Sequence, residues 1–389
     1  MRIVFIGPFG FHPNKTMAVR ALPLAKALVK AGHRVHLIMP PWQTPEEANR
    51  HWQEAGVTNR YVSLSGGIVP TTIRMVRETL ALQPDVVHCF KPKAYAGLAA
   101  WWLWYTHCRH FKLFLDTDDW EGWGGWNDIA PYSWLQKHFF AWQEQWGLTH
   151  NHGVTAASRE LARMAAVAGA KRVVYVPNGA GVAPKRQMEA GTKAVHLSLP
   201  FPDGPVLLVY SRLFEFDTKR LVAVLAGVKT AVSHLNILMV GAGLYSDDAA
   251  QFRQQLEAAG LTGHVKETGW VEPDKLPALL ASADVGIYLM DNTLLNRTKC
   301  PVKLADMVAA GVPVVGEDVG QVGEYVVNGR TGYLHPTGDV PALTRSIITL
   351  LTTPNLRTQF STAARAHYNA HFQWEHLAQI IENFYTNNA

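Results

Sequence analysis

At 389 residues, 48% of them hydrophobic, the chain is too long for one ordinary core, so two globular domains are expected. Three cysteines without paired spacing, Cys89, Cys108 and Cys300, argue against a disulfide framework and fit a reducing cytoplasm. The net charge of +5 conceals an asymmetry: residues 1–190 hold 21 Lys+Arg against 13 Asp+Glu, and residues 191–389 hold 15 against 18.

Eleven of the thirteen tryptophans also fall in the first half, so the basic, aromatic half should meet the more unusual ligand. Its cations are spread rather than clustered, which argues against nucleic acid as a partner. The opening "MRIVFIGPFGFHPNK" has too short an apolar core for a signal peptide and reads as a first strand. It leads into a helix through "AVRALPLAKALVKAG" and a second strand, "HRVHLIMP". The loop between carries His12, Lys15 and Thr16, at a strand's carboxyl end. Further strands are expected at "RYVSLS", "PDVVHCF", "KLFLDTD", "GVTAAS" and "KRVVYVPNG". Strands alternating with helices predict a parallel sheet covered on both faces.

His88 closes "DVVH", and a lone histidine is more often structural than functional. "AAWWLWYTHCRHFK" and "PYSWLQKHFFAWQEQW" are aromatic and basic; they read either as core helices or, if exposed, as membrane-surface elements. The run "AYAGLAAWWLWY" falls short of the ~20 residues that span a bilayer. In "FLDTDDWEGWGGWND", Asp116, Asp118, Asp119 and Glu121 follow a strand, among Trp120 and Trp123. That composition suits a sugar-facing acid or base, a hard-cation site or a capped turn.

The domains are read as 1–185, a linker at 186–204, a second domain at 205–370, and a helix at 371–389 that returns to the first domain. In the second domain the rhythm restarts with "PVLLVYSR", "NILMVGAG", "HVKETGW", "DVGIYLMD" and "VPVVGED". Two consecutive doubly wound domains predict a ligand crevice at the carboxyl ends of their strands. Arg212 and Lys219 in "YSRLFEFDTKR" form an anion-binding pair or a solvated loop. Gly241 and Gly243 form a phosphate loop or a tight turn; the third glycine of a dinucleotide fingerprint is missing. In "NRTKCPVKLADMVAAGVPVV", Pro301 and Gly311 bound a short helix, roughly 301–310. Arg297, Lys299 and Lys303 crowd its start, where the dipole disfavours cations unless an anion arrives. Asp306, one turn after Lys303, can grip a vicinal diol such as a ribose.

These strings, with "TGWVEPDKLPALLASADVGIYL", "VGQVGEYV" and "NGRTGYL", resemble the retaining, GT-B-fold glycosyltransferases of family 4 over nearly the whole chain. The resemblance implies two Rossmann-like domains facing across a cleft and transfer of a sugar from a UDP- or GDP-sugar to a glycan, lipid-linked or small-molecule hydroxyl. It implies no obligatory metal or other cofactor, a cytoplasmic enzyme, and peripheral contact with the inner membrane face through the basic domain. Arg212 and Lys219 would hold the diphosphate and act in catalysis, with Lys303 and Arg297 beside them. Gly241, Trp270, Gly320, Gln321 and Glu324 would complete the donor site. Asp306 matches the second acid of the family's Glu-x7-Glu motif, whose first acid is replaced by Thr298. Asp118 stands where family members often carry His, and Asp118 and Asp119 are the candidate catalytic carboxylates. His12, Lys15, Thr16, His88, Trp120 and Trp123 would face the acceptor. A nucleotide-sugar 2-epimerase and a catalytically degenerate sugar- or lipid-binding relative share the same features.

Overall fold

Runs of Val, Ile, Leu and Phe bounded by Gly, Pro or Asp form most strands, and their residues are buried on both faces, as parallel strands under helices must be. The computed structural model describes residues 1–13, 15–181, 203–241, 243 and 246–387. They divide into two units. One comprises Met1–Gly179, Arg297–Cys300 and Gln373–Ala389; the other comprises Ala180–Asn296 and Pro301–Phe372. The linker expected at 186–204 lies outside the described residues, except for its last two.

The first unit is built on an eight-stranded sheet of order β3-β4-β2-β1-β5-β6-β7-β8. Its strands are β1 (Arg2–Ile6), β2 (Arg34–Met39), β3 (His51–Glu54), β4 (Val57–Tyr61), β5 (Val86–Phe90), β6 (Lys112–Thr117), β7 (Gly153–Ala156) and β8 (Val173–Tyr175). All neighbours pair in parallel except β3 with β4, a hairpin the sequence did not announce because "HWQE" is polar. The helices are α1 (Leu22–Lys30), α2 (Ile68–Ala81), α3 (Ala94–His107), α4 (Trp126–Ile129), α5 (Trp134–Thr149) and α6 (Arg159–Val167). Gly97 lets α3 approach α5, and Gly147 lets α5 approach the loop before α3. A Cβ on Gly97 would lie 2.6 Å from the Gln143 amide, and one on Gly147 would lie 2.7 Å from the Pro92 ring.

The second unit has an all-parallel six-stranded sheet of order β11-β10-β9-β12-β13-β14. Its strands are β9 (Val206–Tyr210), β10 (Asn236–Val240), β11 (Val265–Glu267), β12 (Val285–Tyr288), β13 (Val314–Glu317) and β14 (Gly332–His335). Helices α7 (Thr218–Ala231), α8 (Ser246–Ala258), α9 (Leu276–Ala281), α10 (Leu294–Thr298), α11 (Val302–Ala310), α12 (Val322–Tyr325), α13 (Val340–Thr352) and α14 (Pro354–His371) alternate with them, α10 running into the Arg297–Cys300 segment of the first unit. The fold class expected from the strand–helix rhythm, two doubly wound units, is the one observed.

Helix α15 (Trp374–Thr386) ends the described chain and packs with the first unit, where Leu377, Ala378, Ile381 and Tyr385 join its core. The Tyr385 hydroxyl meets Nδ1 of His88 at 2.6 Å.

One ion pair fastens this unit internally. Arg20, in the π-helical turn Met17–Ala21, makes two 2.7 Å bonds to Asp116 at the end of β6, and neither side chain is exposed to solvent. Burial opposes the Arg20 charge, but the Asp116 carboxylate outweighs it and raises the arginine pKa. Arg20→Met strands a buried carboxylate and should lower the unfolding free energy by ~3–5 kcal/mol in urea denaturation; Arg20→Met/Asp116→Asn should recover much of that loss.

Candidate functional site

In an open parallel sheet, the strand ends where the order reverses leave a crevice. In the second unit that point lies between β9 and β12. Tyr210, Ser211, Glu215, Tyr288 and Lys303 line a pocket there. Lys303 sits in the first turn of α11, with Nζ 4.9 Å from the Tyr210 ring centroid. The Tyr210 hydroxyl bonds to Asp306, whose carboxylate also accepts a 2.7 Å bond from the Gly181 N–H. Burial, and then the Asp306 charge, raise the phenol pKa, so Tyr210 remains a neutral donor. Pro301 caps α11 and Gly311, at φ 76°, ends it, which keeps Lys303 and Asp306 one turn apart on a short helix.

The glycine after β10 has a specific task. Gly241 takes φ +110°, and a Cβ on it would lie 2.4 Å from the Ser211 carbonyl and 3.7 Å from Lys303 Nζ. Its N–H donates to the Gly269 carbonyl at 3.0 Å, which brings it beside exposed Trp270. Arg212 bonds Glu215 at 2.6 Å in a loop where Leu213 is held at φ +57°. Lys219 is exposed in the first turn of α7, and its own N–H is bonded by the Asp217 cap. Arg220 beside it turns inward to Asp291 and Glu317, at 2.8 and 2.9 Å. Gly320 is exposed at φ 53°, Gln321 is buried, and Glu324 is half-buried with its backbone carbonyl held by His367.

Arg297 and Lys299 do not join this cluster within the second unit. They belong to the first unit, where Lys299 is buried with its ammonium 5.5 Å from the Trp126 ring centroid. Arg297 lies close enough to Glu160 to help lower its pKa. Thr298, between them, is wholly buried. The seat of three cations expected at the start of α11 is therefore, inside its own unit, a seat of one, Lys303.

In the first unit the strand order reverses between β1 and β5. The loop after β1 holds His12 and Lys15, both exposed, and half-buried Thr16. The loop after β5 is strained, with Lys91 at φ 51° and Ala94 at φ 49°. It places the Lys91 ammonium, almost fully buried, 3.3 Å from Asp118, 3.2 Å from Asp119 and 2.9 Å from Glu121. Lys93 bonds Glu121 and the Tyr132 hydroxyl. Burial disfavours the Lys91 charge, but the three carboxylates outweigh it and raise its pKa. Burial likewise pushes Glu121 upward, and the two ammonium groups overcome this and bring it to about 2. Asp118 goes the other way: burial lifts its pKa to about 6 against the pull of Lys91. Its Oδ1 lies within ion-pair distance of Lys91 without hydrogen-bond alignment. Beneath them Glu144 is buried with neither oxygen bonded, and burial followed by repulsion from Glu121 pushes its pKa to about 8.

The acidic run is thus gripped by lysines and by Arg20. Among the described residues, no group of three His, Cys, Asp or Glu side chains converges as a metal ion requires. Trp120 is half-buried against Gly122 and Gly125 and donates its indole N–H to the Trp123 carbonyl at 2.7 Å, whereas Trp123 is about half exposed.

The expectation that His88 faces an acceptor is overturned. The ring is wholly buried between Tyr385 and Thr155, and burial lowers its pKa to about 4. The sequence did not single out Lys91, Lys93, Glu144, Tyr210 or Arg220. The available signal was "FKPKAYAG", two lysines directly after a fully apolar strand end.

Two family models match the chain: "Glycosyl transferase 4-like domain" over residues 15–179 and "Glycosyl transferases group 1" over residues 196–367. The chain is 32% identical over 221 residues to a phosphatidyl-myo-inositol mannosyltransferase of Mycobacterium leprae, covering 51% of this chain and 55% of that protein. It is 25% identical over 215 residues to a GDP-mannose-dependent alpha-(1-6)-phosphatidylinositol monomannoside mannosyltransferase of Mycobacterium tuberculosis, covering 54% of each. The chain spans about half the length of these relatives. Anabaena HepE in complex with UDP-glucose shares the fold, with a TM-score of 0.72 at 18% identity over 98% of this chain and 99% of the other.

The Glu144 carboxyl holds its proton to about pH 8 when folded and titrates near 4.5 in its ordinary state. The folded chain binds this proton more tightly, so the contribution to stability is complete below pH 4.5 and is lost as pH rises through 8. Glu144→Gln should match the wild type in acid and exceed its unfolding free energy by ~2 kcal/mol or more at about pH 9, read from thermal melts across the range.

Proposed function

The chain belongs to the group 1 glycosyl transferases, with a glycosyl transferase 4-like domain ahead of the group 1 domain, and from that premise we propose that it transfers a sugar from a nucleoside-diphosphate donor to a hydroxyl acceptor with retention at the anomeric carbon. The observation that carries the donor assignment is Lys303. Its ammonium stands over Tyr210 at the reversal point of the second sheet, against a backbone kept bare by Gly241. A diphosphate can approach that ammonium where no side chain intervenes. The amino-terminal end of α11 adds its dipole to the same attraction. Arg212 and Lys219 supply two further cations from the loop and helix after β9.

As the sugar–phosphate bond breaks, negative charge grows on the departing diphosphate, and fixed cations stabilise it most at that moment. This role does not call for a metal ion. Asp306 accepts two bonds already, from Gly181 and Tyr210; a carboxylate has room for about four, which leaves capacity for a ribose hydroxyl. Gly320, Gln321 and Glu324 are assigned to the transferred sugar. The first unit is assigned the acceptor, through His12, Lys15, Thr16, Trp120 and Trp123. Its hydroxyl attacks from the face the diphosphate leaves. The proton goes to the leaving phosphate or to Asp118 or Asp119; a carboxyl titrating at about 6 is suited to that exchange. The donor proposed is a GDP- or UDP-sugar carrying a hexosyl group, and the names of the relatives favour the first; an inositol lipid is the acceptor class they suggest first.

A panel of UDP-, GDP-, ADP- and dTDP-sugars should stabilise the chain selectively, by ~2.7 kcal/mol at 100 times the dissociation constant of the right donor. With that donor, Lys303→Ala and Arg212→Ala should each lower kcat/KM by ~10²–10³ while leaving the melting temperature near that of the wild type. Transfer that survives both changes would place the diphosphate elsewhere. Turnover of donor to an epimer without any acceptor would replace transfer by 2-epimerisation, and tight binding without turnover would make the chain a sugar-binding relative.

A further inference from the structure

The loop that leaves β5, where the order of the first sheet reverses, is held in a shape few residues adopt. Lys91 and Ala94 both take left-handed backbone angles, φ 51° and 49°, although neither is glycine. Bonds along the whole loop keep them there. The Lys91 N–H donates to the Asp116 carbonyl at 3.0 Å, and the Lys93 N–H donates to the Lys91 carbonyl at 2.7 Å. From α5, the Gln143 amide bonds both the N–H and the carbonyl of Ala94, at 2.7 and 3.0 Å. Such strain persists where its surroundings over-determine it, and what this loop delivers is one ammonium among three carboxylates.

The ammonium treats those carboxylates unequally. It makes hydrogen bonds to Asp119 at 3.2 Å and to Glu121 at 2.9 Å. Asp118, at 3.3 Å, receives its charge without an aligned bond: Oδ1 is buried and accepts no hydrogen bond among the described residues. Glu121 is bonded again by Lys93, and Asp119 lies at the edge, 25% exposed against 9% for Asp118. Lys91 therefore anchors the Asp118 carboxyl by attraction alone and leaves its lone pairs able to take a proton. The other charges facing Asp118 are Asp116 and Asp119 from β6 and the loop after it, Arg20 from the π-helical turn and Glu144 from α5.

We propose that Lys91 is a positioning residue for sugar transfer: its ammonium holds the Asp118 carboxylate in place as an anion, so that Asp118 rather than Asp119 receives the proton of the attacking hydroxyl. This rests on the transfer reading given above. In that step the glycosidic C–O bond forms as the sugar–phosphate bond breaks, and the diphosphate leaves with the bonding pair. The hydroxyl proton ends on Asp118, which passes it to water before the next turnover. Burial opposes the Asp118 anion, Lys91 favours it and Asp119 repels it. Removing Lys91 should therefore raise the pH at which Asp118 titrates, and removing Asp119 should lower it.

Carbon-13 NMR of the full chain, labelled at the aspartate carboxyls, reads this titration without substrate; the Asp118 signal is the one that Asp118→Asn removes. From about 6 in the wild type the midpoint should rise by ~1 pH unit or more in Lys91→Met and fall in Asp119→Asn. Lys91→Arg should bring it back towards the wild type. Release of nucleoside diphosphate is then followed from GDP-mannose and from UDP-, ADP- and dTDP-glucose, with phosphatidylinositol in detergent or water as the acceptor. The acid limb of kcat should move with the NMR midpoint in each variant, while the donor KM stays within about twofold of the wild type. A lysine that served folding alone would lower kcat at every pH and leave the limb in place. Should Lys91→Met not fold, Asp119→Asn, at the edge of the cluster, tests the same balance of charge from the other side. A midpoint that ignores these changes, or a limb that stays while the midpoint moves, overturns the positioning role and leaves the transfer reading standing. Midpoints that move as expected without release from any donor overturn the transfer reading, and the positioning role with it.

Discussion

The first unit depends on a guanidinium that water never reaches. Arg20 grips Asp116 with two bonds, and Asp116 in turn accepts a 2.5 Å bond from the Thr155 hydroxyl on β7. The remaining face of Arg20 reaches Asn178 at 2.9 Å, and Asn178 is bound to Cys300 through its amide and its N–H. The turn before α1, the ends of β6 and β7, the segment after β8 and the Arg297–Cys300 segment are thereby held to one charged pair. A pair this deep contributes little net stability over an apolar substitute, but it enforces registration, because neither partner can move without exposing the other to an apolar interior.

The two candidate regions handle charge in opposite ways. Around Lys91 the charges are compensated and, Asp119 at the edge apart, largely buried, and the compensation is unequal: Glu121 is held firmly ionised, Asp118 is poised near neutrality, and Glu144 is kept as an acid. Carboxylates a few ångströms apart with separated titrations can divide the work of giving and taking a proton. Around Lys303 the cations stand at strand ends and helix starts. A bare glycine backbone and an aromatic ring flank Lys303, Arg212 is partly exposed on its partner Glu215, and Lys219 is exposed. That arrangement suits an anion that arrives from outside.

What could be read from the sequence was what local chemistry determines. The α11 helix announced both its ends, because Pro301 cannot donate where a helix begins and Gly311 can adopt the left-handed turn where it stops. Parallel strands announced themselves by unbroken apolar runs, whereas β3 and β14 were hidden by polar residues and a short length. The pairing of Lys91 with three acids was not legible, since those residues lie some thirty positions apart in sequence and meet only through the sheet order. His88 misled for the same reason: sequence shows what a residue is near along the chain, and burial decides what it can touch. The aromatic helices were legible as candidate core helices, and exposure removes that reading for one face, where Trp134 and Leu135 stand 69% and 72% exposed.

Helix α15 gives the chain an unusual order of assembly. Leu377, Ala378, Ile381 and Tyr385 belong to the core laid down by residues near the amino terminus, and Tyr385 supplies a partner of buried His88. Residues 374–386 therefore finish a core that the strands and helix of the first sixty residues begin. While the second unit is being synthesised, that core carries an open seam of apolar side chains beside α1, and it cannot close before the intervening unit has been made. A chain interrupted anywhere before Trp374 is left with this core unfinished.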